Sequence, residues 1–251
     1  MNQVPASGPI IEVTDLTIGH GDVLLQEHAS FEVFPGEVFA ILGGSGCGKS
    51  TLLRYLVGLE KTEIGRIRIA GVGEPNLDAG RPPFGVMFQS GALFGSMTVG
   101  ENVGLSLEQW TDLPHDAIAA VVLAKLRLVG LQGTEDKFPS EISGGMKKRA
   151  AIARALALEP ELLFLDEPSA GLDPVSAVEL DELILVMSRR LNLTVVIVTH
   201  ELESIFKIAT RCIVLDKASR SIIARGDPRE LRDGSTDARV RRFFNRLPEE
   251  S

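Results

Sequence analysis

The sequence predicts an α/β fold: a core of apolar strands laid down in two stretches, with a mostly helical segment inserted between them. Three observations carry this. Apolar or β-branched runs at Val38–Leu42, Leu162–Leu165 and Thr194–Thr199 read as buried central strands, which lack polar alternation because both faces are covered. A glycine-rich stretch follows the first run directly and passes into a helical segment, Ser50–Leu59. From about residue 90 to 160 the pattern changes to helical apolar spacing and Ala/Leu-rich composition.

Composition agrees. The 251 residues suffice for one large domain or two small ones. With 44% hydrophobic and 24% charged residues, a disordered, collagen-like or coiled-coil chain is excluded. The net charge of −8 argues against a nucleic-acid partner, which would need a basic surface. Two cysteines, Cys47 and Cys212, are too few for a disulfide framework. No apolar run approaches the roughly 20 residues of a membrane helix, and the start, MNQVPASGPI, lacks a basic and apolar leader.

The elements follow in order. Residues 1–9 read as a loose lead-in. Ile10–Leu16 and Ala29–Val33 alternate apolar with polar, as half-buried strands do. Val38–Leu42 and the helix Ser50–Leu59 come next, then a short strand, Val86–Phe88. Ala117–Leu128 and Arg149–Leu158 have helical character; Val175–Leu191 reads as a helix between the last two core strands. Residues 229–251 form a charged tail.

Gly43-Gly44-Ser45-Gly46-Cys47-Gly48-Lys49-Ser50 fits G-x-x-x-x-G-K-[ST]. Glycines let the backbone curl until successive N–H groups face one phosphate. The following helix adds its positive end. Lys49 is placed for the outer phosphates and the Ser50 hydroxyl for Mg²⁺. The strand before and the helix after make a chance turn a poor account. Cys47 is read as a small residue tolerated in a tight loop rather than as a redox switch.

The strand Leu162–Leu165 ends in Asp166 and Glu167. Asp166 is expected to hold Mg²⁺ and Glu167 to orient or deprotonate an attacking water. His200 ends another core strand and is expected at the γ-phosphate, since parallel strand ends line ligand crevices. Gln89 ends a third and could reach metal or water. Ser143-Gly144-Gly145 opens a further helix. Its Ser/Gly start is either a plain cap or a second anion site serving a nucleotide held by another copy of the chain.

Taken in this order with Ser169-Ala170-Gly171-Leu172-Asp173, these motifs resemble the nucleotide-binding subunit of ABC transporters over residues 10–228. The resemblance implies a P-loop NTPase core of ABC type (10–88 and 161–228), an inserted helical signature subdomain (89–160) and a C-terminal tail (229–251). It implies ATP and Mg²⁺ as ligands, with Gly43 through Ser50 and Thr51 around the nucleotide and Ser50, Gln89 and Asp166 at the metal. Glu167 becomes the catalytic base, His200 the switch residue, and Lys49 and Gln89 contacts of the γ-phosphate. Two copies would pack head to tail, Ser143, Gly144 and Gly145 of one reaching the nucleotide of the other, with Asp173 at the seam. Two positions depart from the pattern: Met146 stands where the signature carries Gln, and His20 replaces the aromatic residue that stacks on adenine.

Gln89-Ser90-Gly91-Ala92-Leu93-Phe94, Met97-Thr98-Val99, Ser143–Met146 and the stretch 238–247 resemble the ATPases of Mla-type systems, which move phospholipids with MCE-domain proteins. That likeness implies a membrane permease, an MCE-domain protein and a small accessory subunit as partners, and a peripheral place on the cytoplasmic side of a bacterial inner membrane. A non-transporting signalling ATPase, or a transporter of another substrate, is the alternative. In the tail, Val240, Phe243, Phe244 and Leu247 share one helical face, expected to dock on this chain or a second copy rather than lie on a membrane surface, because the amphipathic stretch is short.

Overall fold

The computed structural model describes residues 8–21 and 23–247. Residues 1–7 of the expected lead-in and 248–251 of the tail lie outside them. In chain order the elements are β1 (Ile11–His20), β2 (Val23–Val33), β3 (Val38–Gly43), α1 (Lys49–Leu56), β4 (Ile64–Ile69), β5 (Gly85–Met87), α2 (Val99–Trp110), α3 (His115–Leu128), α4 (Gly144–Ala155), β6 (Leu162–Asp166), α5 (Pro174–Leu191), β7 (Thr194–Val198), α6 (Leu202–Ile208), β8 (Arg211–Asp216), β9 (Ser221–Gly226), α7 (Pro228–Gly234) and α8 (Ala238–Phe244). They form two compact units, one from the segments up to Gly80 and from Thr194 onward, the other Arg81–Leu193.

The first unit carries two sheets. One is antiparallel, in the order β2-β1-β4. Its alternation is literal: Ile11 pairs with Val33 and Ile69, Val13 with Phe31 and Ile67, and all six are buried. Glu12, between them, pairs with Arg68 at 3.1 Å on the exposed face. In the other sheet β3 runs parallel to β7 and β8, and β9 pairs antiparallel with β8. Every residue of β3 and β7 is buried. Stacked rings of Phe31 and Phe39, 5.6 Å apart, join the two sheets.

In the second unit β5 and β6 form a parallel pair, and Phe84 meets Phe164 edge-on at 5.3 Å. Helix α4 packs on β5, and α2, α3 and α5 pack on α4. Thr98 and Glu101 close a reciprocal capping box at the start of α2. The buried Asn102 side chain then gathers the carbonyls of Phe94, Met97 and Thr98. That fixes the chain entering α2.

Several expected boundaries move. The helix read at Arg149–Leu158 begins at Gly144, because Ser143 caps it, and ends at Ala155. The strand read to Thr199 closes at Val198, and the helix read to Leu59 at Leu56. The tail holds two helices, α7 and α8. Val240 and Phe244 of α8 are buried, with Phe244 5.8 Å from Phe206. Half of the expected apolar face therefore docks on its own chain, while Leu247 lies 57% exposed beyond the helix end. Among the described residues no helix is long and apolar enough to cross a membrane.

Candidate functional site

The glycine-rich loop lies between β3 and α1 in the first unit. Gly43 has φ 147°, and a Cβ there would stand 2.4 Å from the Leu215 carbonyl oxygen. Gly48, at the helix start, has φ 101°, and a Cβ would press Leu25 at 3.1 Å. Both positions thus require glycine. Gly44, Ser45 and Gly46 are exposed. Lys49 Nζ donates to the carbonyls of Gly43 (2.9 Å) and Gly44 (3.1 Å), which curls it back over the loop. The start of α1 has no side-chain cap and no acidic residue in its first turn. An uncapped helix start beneath a lysine suits a phosphate and repels nothing that carries negative charge. Thr51, two residues past Lys49, is half-buried.

Cys47 is fully buried, and burial pushes its thiol pKa up. The reading of Cys47 as a tolerated small residue fits this, and the idea of an activated thiol does not. Cys212, on β8, is likewise buried and pushed up to about 12. His20 ends β1, exposed, and lines a cavity of about 340 Å³ with Tyr55, Glu60 and Glu63. His200 lies just past β7, largely exposed, with Nε2 3.5 Å from the Glu201 carboxylate.

The second unit holds the remaining candidates. Asp166 is the last residue of β6 and Glu167 the next; both are 7% exposed. Glu167 has φ 47°, an uncommon conformation for a residue with a Cβ. Gln89 is exposed just after β5. Ser143 caps α4, its hydroxyl accepting from Met146 N at 3.3 Å. Gly144 and Gly145 form the first turn of α4. Asp173 caps α5 and accepts from Ser176 Oγ at 2.5 Å and from the amides of Val175 and Ser176; these bonds, the hydroxyl's first, hold its carboxyl below the usual carboxylate range.

Ser50 in the first unit, and Asp166 and Gln89 in the second, each offer a hard oxygen of the kind Mg²⁺ accepts, and no group of three or more His, Cys, Asp or Glu that could hold a metal occurs among the described residues. Mg²⁺ needs no more, since it binds through one or two protein oxygens and takes the rest from phosphates and water.

Three residues at the site escaped the sequence reading. Gln26 is fully buried on β2 and donates from Nε2 to the carbonyls of Cys47 (2.9 Å) and Asp216 (3.1 Å), supporting the loop from beneath. The alternation of Ala29, Phe31 and Val33 would point it outward; His28, with φ 53°, interrupts the strand and shifts the phase, so nothing in the sequence marks it. Lys148 and Arg154 of α4 bind backbone carbonyls instead of solvent. In a Lys-Lys-Arg run nothing distinguishes a buried cation from a solvated one.

Residues 26–170 match the family described as ABC transporter. The chain belongs to the ABC transporter family. Relatives of this ABC protein include the intermembrane phospholipid transport system ATP-binding protein MlaF of Haemophilus influenzae, 39% identical over 94% of this chain and 90% of the relative. The probable ribonucleotide transport ATP-binding protein mkl of Mycobacterium leprae is 40% identical over 95% and 69%. Among solved structures, cbiO1 of Clostridium perfringens, part of the ABC transporter complex cbiONQ, superposes with a TM-score of 0.79 at 32% identity, over 91% of this chain and 92% of that one. A dimeric ATP-binding cassette in a post-hydrolysis state with ADP and Pi gives 0.77 at 26%, over 86% and 98%. This ABC protein is thus an ATP-binding, ATP-hydrolysing subunit of a transporter, on the α/β P-loop core that the sequence predicted.

Proposed function

We propose that this ABC ATPase powers phospholipid transport between bacterial membranes, working as a head-to-tail pair on the cytoplasmic side of the inner membrane beneath a permease, with an MCE-domain protein and a small accessory subunit in the same assembly. The supporting observation is the likeness to the MlaF relative, 39% identical over 94% of this chain and 90% of the relative.

The loop amides and the Lys49 ammonium hold the phosphates, and Lys49 offsets charge that builds on the transferred group. His20 lies against the base. Ser50, Asp166 and Gln89 would hold Mg²⁺, which would supply charge that neutralises the phosphates. Glu167 accepts the proton of the attacking water, its position at the end of a buried strand making it rigid. His200 keeps that water and the γ-phosphate in register. Ser143, Gly144 and Gly145 bring the amide end of α4 to the nucleotide of the second copy, and Asp173 lies at the seam.

Glu167→Gln tests the base: ATP binding should persist while turnover falls at least 100-fold, within the range general-base loss costs. Native turnover in that variant would refute the assignment. The cargo is tested by purifying the chain with its permease from native membranes and extracting what co-purifies. Phospholipid supports the proposal; ribonucleotide without phospholipid overturns it.

A further inference from the structure

We infer that Lys148 is a positioning residue for hydrolysis, a cationic tie that fixes the Gln89 segment and Glu167 to helix α4. The inference rests on the reading of Glu167 and Gln89 above and deepens it.

Lys148 lies on the first turns of α4 and is only 8% exposed, exceptional for a lysine. Its Nζ donates to the main-chain carbonyl of Gln89 and, at 3.2 Å, to that of Glu167. One ammonium thus bridges the ends of β5 and β6, the two places where a γ-phosphate-sensing amide and a water-activating carboxylate are assigned. A buried ammonium is costly unless its donors are satisfied, and here carbonyl dipoles satisfy it. A neutral amide could make such contacts more weakly, and a methyl-ended chain not at all.

A second cation secures the same segment further along. Arg154, also on α4, donates to the carbonyls of Gly91 (2.8 Å) and Ala92 (2.7 Å). Gly91 has φ 73° and Ala92 φ 48°, so these carbonyls are turned by uncommon backbone conformations. A Cβ on Gly91 would already touch Ala151 at 3.4 Å. The stretch 89–92 is therefore strapped along α4 at both ends. Since α4 begins at Ser143-Gly144-Gly145, a displacement of its tip is transmitted rigidly to Gln89 and to the backbone of Glu167. No separate linker is needed within the unit.

The test compares Lys148→Met, Lys148→Arg and Lys148→Gln in the full-length chain, with native protein and Glu167→Gln alongside. Lys148→Met should lower kcat for ATP at least tenfold while KM stays within twofold. Arg should restore most of the loss and Gln part of it. Hydrogen exchange should quicken at the amides of 89–92 and 167–170 in the Met variant and stay native in α2, α3 and α5. Native kcat in Lys148→Met overturns the inference. So does a joint change of kcat and KM with exchange raised throughout the unit and no rescue by Arg. Should Lys148→Met fail to fold, the Gln variant decides on the same kcat, KM and exchange criteria. If Glu167→Gln hydrolyses ATP normally, the site reading itself fails, a different outcome from a silent Lys148.

Discussion

Gln26 shows how one side chain can matter to a loop it is not part of. Its Nε2 holds two main-chain carbonyls, one inside the glycine-rich loop, while its own Oε1 is buried with no hydrogen-bond partner among the described residues. Replacing it by Leu strands two carbonyls but also removes that orphan acceptor. The two effects oppose each other, so a net loss of about 1–2 kcal/mol is expected, at the low end for a broken buried polar contact. Gln26→Glu turns an acceptor toward the same two carbonyls and should cost more, about 3 kcal/mol or beyond. Chemical denaturation of the two variants checks this ordering; Leu proving worse than Glu would show that the amide contacts do not govern the site. The loop motif itself was legible because its chemistry is written in adjacent residues. Gln26 was not, because its carbonyl partners are 21 and 190 positions away.

At the level of elements, legibility followed burial with one exception, β8, missed in the sequence although Cys212–Leu215 are all buried. The strands covered on both faces, β3, β6 and β7, announce themselves as unbroken apolar runs. β4 escaped notice although Ile67 and Ile69 alternate with arginines, because its six residues are mostly exposed and only two are buried. Helix α2 has a full capping box in its sequence, Thr98 and Glu101, yet Gly100 and Gly104 dilute its helical signal. The tail was read as one amphipathic stretch, and the structure divides it. Phe244 and Val240 anchor α8 to its own unit, Arg239 pairs with Asp216 at 3.0 Å, and Arg232 lies over the Phe206 ring. A helix of seven residues has almost no stability alone, so its order comes from this docking. Phe244→Ala should release α8, at a cost of up to about 3 kcal/mol, the lower figure for a lost core phenylalanine. Proteolysis within 235–247 should accelerate while β3 and β7 stay protected; an unchanged cleavage pattern would place the anchor elsewhere.

On the scale of the whole molecule, one chain carries two anion-ready helix starts, in different compact units: the cradle at Gly48 and the tip at Ser143. The fold explains Gly43 and Gly48 of the first and leaves Gly144 and Gly145 of the second unexplained. A Cβ on Gly145 would meet Ser176 at 3.5 Å and Leu172 at 3.9 Å, both ordinary contacts, and one on Gly144 would come no nearer than 4.0 Å to Leu172. Neither glycine has the left-handed φ that would exclude a side chain. Glycine inside a helix costs roughly 0.5–1 kcal/mol relative to alanine, so here stability is lost without return within one chain. A return arises if another molecule must approach that backbone closely, as the proposed head-to-tail pair requires. Gly145→Ala should therefore leave Tm unchanged or slightly raised and leave nucleotide affinity of the monomer native. In a Glu167→Gln background with ATP and Mg²⁺, it should abolish the shift to twice the monomer mass seen by light scattering without it. If the alanine variant dimerises as readily as its parent, the tip of α4 does not meet the second copy's nucleotide and the glycines need another cause.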